Sequence, residues 1–133
     1  MTVQEAVAQH REAMNRGDVK TVNAGISDRY LGVFCLGNAG THEMYNAEEI
    51  REGNASADHY YRQEMKKVPQ WAYTDWQWGM RGESECVVSS RIDFSLDGDV
   101  IMHALVTEVY ALEGDRWMLL RQYMEKYRPV QEL

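Results

Sequence analysis

Glu85-Cys86-Val87-Val88-Ser89-Ser90-Arg91-Ile92-Asp93-Phe94-Ser95-Leu96, then Asp97-Gly98, then Asp99 through Leu112 (DVIMHALVTEVYAL): this stretch decides the fold. Two long runs rich in β-branched and aromatic residues flank an Asp-Gly pair, which accepts the positive φ angles of a two-residue hairpin turn. Arg116 to Tyr127 extends the hairpin into a meander through Glu113-Gly114-Asp115. Trp71 to Met80 precedes it, with Arg81-Gly82 as the turn. Upstream the period becomes helical. Thr2 and Glu5 form a capping box, and Val3, Ala6, Val7, His10 and Met14 recur on one stripe. Gly17 stops that helix and Asp18 caps a second, carrying Val19, Val22 and Ile26. Tyr30 to Leu36 reads as a short strand ended by Gly37-Asn38. Asn46 caps a third helix over 47–67, weakened at Gly53-Asn54 and closed before Pro69. The tail from Arg128 to Leu133, with Pro129, reads as loose.

The chain has 133 residues, the size of one domain, and residues 1–133 show no repeat, linker or low-complexity segment. Its formal charge of −7 argues against nucleic acid, whose phosphates demand clustered Lys and Arg; Lys66-Lys67 is the only adjacent basic pair. No apolar run approaches the roughly 20 residues that cross a bilayer, and Met1-Thr2-Val3-Gln4-Glu5 has no signal-peptide character. A cytoplasmic location without membrane contact is expected. Cys35 and Cys86 lack metal or redox spacing and read as reduced thiols.

Alternation along strands, counted from a tight Asp97-Gly98 turn, sorts the meander into two faces. One holds Val88, Ser90, Ile92, Phe94, Ile101, His103, Leu105, Thr107, Val109, Met118, Leu120, Gln122 and Met124. The other holds Val87, Ser89, Arg91, Asp93, Met102, Ala104, Val106, Glu108, Tyr110, Trp117, Leu119, Arg121 and Tyr123, joined by Trp76 and Trp78 if Arg81-Gly82 is also tight. Both faces are partly apolar, so both need cover. The helices can cover one; a second copy of the chain is the simplest cover for the other, giving at least a homodimer. On the mixed face, Arg91, Asp93, Glu108 and Arg121 converge with Tyr110 and Tyr123 as the polar groups of ligand pockets do. A Glu108–Arg121 pair is expected, since buried ions are rarely left alone. A plain salt-bridge set at a pocket rim is the other reading of these four residues. The alternating Trp76 and Trp78 fit either core packing or stacking on a ligand.

Two further stretches add to this. Gly82-Glu83-Ser84-Glu85-Cys86-Val87-Val88-Ser89-Ser90-Arg91-Ile92 resembles a strand of the calcium/calmodulin-dependent kinase II association domain. Thr107-Glu108-Val109-Tyr110 and Gly114-Asp115-Arg116-Trp117 resemble its last two strands, and the helix break at Asn15-Arg16-Gly17-Asp18 also fits. That domain belongs to the nuclear transport factor two-like superfamily, with ketosteroid isomerase and the SnoaL-like cyclases. The resemblance runs from about Thr2 to Tyr127. It implies an α+β cone, a cystatin-like α/β roll: N-terminal helices packed into a strongly curved antiparallel sheet, a pocket between them, and dimers or rings through the sheet. It implies small carboxylates received by pocket arginines, of which Arg91 matches one, while Glu108 and Met124 stand at two others. Tyr61 falls near the pocket aromatic of the third helix.

The isomerase branch uses a carboxylate base on its first strand, and Tyr30 to Leu36 has none. Asp93 or Glu108 could serve if burial raises the pKa, although a neighbouring arginine would oppose this. His10, His42, His59 and His103 are scattered without metal-ligand spacing, so no metal is expected. His10, on the apolar stripe, reads as pocket-lining or hydrogen-bonded in the core. No nucleophile elbow is present, and Gly37-Asn38-Ala39-Gly40 lacks the Lys-Ser or Lys-Thr of a phosphate loop. No cofactor is expected. The leading expectation is a self-associating domain binding a small polar or anionic molecule through Arg91. Its rivals are a cofactor-free isomerase, cyclase or hydratase-like enzyme, and a pure oligomerisation module.

Overall fold

A computed structural model describes residues 1–37 and 41–128. Asn38, Ala39 and Gly40, just past the expected strand end at Gly37, and the tail after Arg128 lie outside those residues. Helix α1 (Val3–Arg16) starts at the Thr2–Glu5 capping box. It ends at Gly17, whose φ of 74° is the left-handed conformation that a side chain disfavours. Asp18 accepts from the Thr21 amide and starts α2 (Val19–Ala24). Ile26, expected on that helix, instead opens strand β1 (Ile26–Cys35), because the Leu119 amide takes the Gly25 carbonyl and draws the chain onto the sheet. A short strand, β2 (Glu43–Asn46), pairs with β1 and was not expected; four residues, two of them polar, give too little alternation to register. Asn46 and Glu49 form a second capping box for α3 (Ala47–His59), which runs into a single π turn (Tyr60–Glu64).

Strands β3 (Pro69–Arg81), β4 (Glu85–Leu96), β5 (Asp99–Glu113) and β6 (Arg116–Tyr127) form the expected meander. The curved sheet has the order β2-β1-β6-β5-β4-β3. Its pairings are antiparallel except β1 with β6, which is parallel, so the sheet is mixed.

Asp97 and Gly98 hold positive φ angles of 49° and 88°, as a two-residue hairpin turn requires. The register nevertheless slips one residue further along. Ser95 faces Val100 but Phe94 faces Met102, leaving Ile101 as an extra residue. Val109 faces Arg121 but Tyr110 faces Leu119, leaving Leu120 extra on β6. Trp76 is extra on β3 between Asp75 and Gln77. Each β-bulge bends its strand and reverses which side chains share a face. The two expected faces are therefore each split. The face toward the helices carries Val88, Ser90, Ile92 and Phe94 together with Met102, Ala104, Val106, Glu108 and Tyr110, then Leu119, Gln122 and Met124.

One core cluster joins Val3 and Val7 of α1 to Ile26, Tyr30, Val88, Tyr110 and Leu119; a second joins Ile92, Ala104, Val106 and Met124. The first cluster pins α1 to the sheet. Between the two ends, Arg62 of the π turn clamps the C-terminus of α1, donating to Asp58 at 2.8 Å and to the Asn15 carbonyl at 3.1 Å. A Cβ on Gly17 would stand 2.6 Å from the Arg62 Nε. Gly17→Ala should therefore cost about 1–2 kcal/mol from the left-handed backbone alone, and more if the clamp opens. Urea unfolding checks this; an unchanged midpoint would mean that neither the backbone angle nor the clamp matters.

Candidate functional site

The space between helices and sheet is not filled. A cavity of about 240 Å³ remains, lined by His10 and Met14 of α1, Asn54 and Asp58 of α3, Tyr61 of the π turn, and Phe34, Trp71, Tyr73, Phe94, Gln122 and Met124 of the sheet, among others. The rings are close: Trp71 and Phe94 centroids lie 5.0 Å apart, Tyr61 and Phe94 5.4 Å. A second, more open hollow beside it shares Phe34, Leu36, Ile50 and Asn54.

Beside the cavity, under α1, lies a polar cluster in an otherwise apolar core. Arg11 reaches across from α1 to Asp75 at 2.8 Å and to the Ser90 hydroxyl at 3.2 Å, and its guanidinium lies 4.1 Å from the centre of the Tyr73 ring. Ser90 and the Trp78 indole donate to the same carboxylate, at 2.9 and 3.1 Å. Partial burial works against ionisation of Asp75, but these donors prevail and hold it below the usual carboxylate range.

Glu108 is different. It is 1% exposed and faces Val88 on β4 and Gln122 on β6. The Tyr30 hydroxyl donates to Gln122 Oε1 at 2.8 Å, and Gln122 Nε2 donates to Glu108 Oε2 at 2.8 Å. Glu108 Oε1, the Tyr110 hydroxyl and Arg11 Nε are buried without a protein partner. Burial pushes Glu108 up to about 7; Arg11 and Gln122 pull it back and Asp75 adds to the rise. Burial and the proximity of Glu108 raise the hydroxyls of Tyr73, Tyr110 and Tyr30 as well. His10 goes the other way: loss of water, then the charge of Arg11, lowers it to about 4, so its imidazole is neutral.

The residues singled out in the sequence thus divide. Glu108, Tyr110 and Tyr61 are on the helix side, and Trp78 packs at the edge of the core there. Arg91, Asp93, Arg121 and Tyr123 are on the opposite face, because the bulges at Ile101 and Leu120 separate them from Glu108. Arg91 is exposed and does not line the cavity. Asp93 pairs with His103 at 2.8 Å. The expected Glu108–Arg121 pair does not form: Arg121 donates to the Arg29 and Leu120 carbonyls instead. Trp76, at its bulge, is 80% exposed. Asp28, a carboxylate at the true start of β1, pairs with Arg51 at 2.9 Å and is exposed. His10 lines the cavity, one of the two places its helical stripe allowed. Arg11, Asp75 and Gln122 were missed; only their register against Glu108 would have marked them. Among the described residues no group of three or more His, Cys, Asp or Glu is placed to hold a metal ion, and no helix is long and apolar enough to cross a membrane.

No protein-family model matches the chain, and no curated protein matches it. Solved structures do. A protein from Streptomyces avermitilis, provisionally assigned as a dehydratase of the NTF2-like family, is 17% identical over 96% of this chain and 94% of its own, with a TM-score of 0.74. A domain from Thiobacillus denitrificans, provisionally assigned as a calcium/calmodulin-dependent protein kinase type II association domain, is 11% identical over 96% of each chain, at 0.74. A ketosteroid isomerase-like protein from Erwinia carotovora atroseptica is 16% identical over 95% and 94%, at 0.65. The chain has the NTF2-like, cystatin-like α+β fold, as the resemblance in its strands implied.

Glu108 supplies a sign-definite test. Its pKa in the folded chain lies above the ordinary 4.5, so its contribution to stability is complete below that value and is lost as pH rises through about 7. His10, lowered from 6.5 to about 4, contributes in full above 6.5 and loses it as pH falls through 4. The two slopes oppose each other across the shared range, so the wild type alone would show little. The difference between wild type and Glu108→Gln isolates the acid. That variant should gain on wild type by on the order of 3 kcal/mol between pH 4.5 and 8, measured by urea unfolding. A constant gap would mean that Glu108 titrates normally.

Proposed function

We propose that this protein is a self-associating domain that binds a small molecule in the cavity between its helices and sheet. The cavity itself carries the reading: a concave, mainly apolar space with a few polar groups is the usual form of a small-molecule site. At about 240 Å³ it suits a molecule below drug size. The position of Arg91 on the opposite face replaces the expectation of an anion held by that residue in the pocket.

Self-association through the outer face is supported by Leu31, Leu105 and Tyr123, each exposed by more than 40% on that face. Apolar and aromatic side chains brought together on a sheet face are those a second copy would cover. The solved neighbour assigned as an association domain fits the same reading.

Acid–base catalysis is a second reading, favoured by one observation: Glu108 has a pKa near physiological pH and one oxygen without a partner. Asp93, the other candidate, is engaged by His103 on the far face. Gln122 stands between Glu108 and the cavity, so a substrate would reach the acid only after that amide moves.

Native mass spectrometry on gently purified protein tests the main reading. A dimer or larger assembly with a retained small mass is expected; Ala57→Trp, at the cavity wall, should lose the mass, and Arg91→Ala should keep it. Leu105→Asp should give monomer. Loss of the adduct in Arg91→Ala alone would return the ligand to the outer face, and a wild-type monomer would end the self-association proposal.

A further inference from the structure

The cavity wall has a chemical bias that narrows its ligand. Phe34, Tyr61, Trp71, Tyr73 and Phe94 supply five rings. No Lys or Arg is among the described lining residues, so an anion would lose its water without gaining a counter-charge. The one lining carboxylate, Asp58, is already paired with Arg62 at 2.8 Å, so a cation would have only ring faces, and no free counter-charge, to replace its water. A neutral ligand is left.

Several polar atoms of the wall are already engaged. Asn54 spends an amide N–H on Asn23 at 3.0 Å, and Gln122 is used at both ends, donating to Glu108 and accepting from Tyr30, each at 2.8 Å. The His10 imidazole lines the cavity with no hydrogen bond to another protein group among the described residues, and a neutral ring keeps one bare nitrogen as acceptor. In an apolar enclosure an unpaired acceptor gains most from a ligand that brings a donor.

We infer that the cavity selects a neutral aromatic molecule of one or two rings bearing a single N–H or O–H, stacked among these side chains and donating to His10. Ring faces and edges complement the aromatic wall, and the lone donor fixes orientation. This rests on the pocket reading above and adds the class of ligand to it.

Three probes of matched shape decide it by calorimetric titration of the full chain: indole, benzothiophene, which lacks the N–H, and indole-3-carboxylate, which adds a charge. Indole should bind about tenfold more tightly than either. His10→Leu should remove that advantage while leaving benzothiophene unchanged, and His10→Gln, which retains an acceptor, should restore most of it. Equal binding of indole and benzothiophene, or tighter binding of the carboxylate, overturns the ligand class and leaves the pocket standing. Failure of all three to bind at millimolar concentration overturns the pocket reading together with the class. If His10→Leu does not fold, the three titrations on wild type decide alone.

Discussion

Everything on the helix side of the sheet depends on two single-residue insertions in the strand ladder. Ile101 on β5 and Leu120 on β6 each occupy a position with no partner across the pair. Without them the alternation set at Asp97-Gly98 would run unbroken, and Glu108 would share a face with Arg91 and Arg121. With them, Glu108 turns beneath α1 beside Gln122, while the arginines turn outward. The same insertions increase local twist and bend, which is what lets a sheet curve around helices and leave a hollow. Curvature and chemistry of the interior therefore have one cause.

The polar cluster this creates holds both a settled and an unsettled charge. Arg11 and Asp75 compensate each other, with Ser90 and Trp78 completing the carboxylate's hydrogen bonds. Glu108 accepts one hydrogen bond, from an amide, feels Arg11 only at a distance and keeps one bare oxygen, so burial is not fully offset. A buried acid in that condition sits close to the boundary between neutral and charged. His10, on the same helix as Arg11, is forced the opposite way by the same loss of water. One desolvated region thus contains an acid that resists ionising and a base that resists protonating.

Much of the architecture was legible because it is written in local chemistry. The capping box at Thr2, the cap at Asn46, the stop at Gly17 and the turn at Asp97-Gly98 all act within a few residues. The bounds of β4 and β6 follow from apolar runs broken by turn residues. Bulges are not written that way. Ile101 and Leu120 are ordinary strand formers, and their misfit arises from the sheet's need to curve, which no window of sequence expresses. A single slipped residue reverses every face beyond it, which is why Arg91, Asp93, Arg121 and Tyr123 were grouped with Glu108. His10 remained legible because helical spacing has no such fragility. Arg11, Asp75 and Gln122 gain their roles only through pairing across strands or from helix to sheet.

The parallel pairing of β1 with β6 bears on how the chain assembles. Ile26 and Leu119 are neighbours in the sheet although roughly ninety residues separate them, so closing that contact carries a large entropic cost in the unfolded chain. The four-stranded meander, by contrast, is made of hairpins between consecutive strands and can form early. During synthesis β1 emerges early, yet it has no strand of the meander to pair with until β6 has been made. Until then the β1 edge that β6 will occupy stays open. Completion of the sheet is therefore gated by β6.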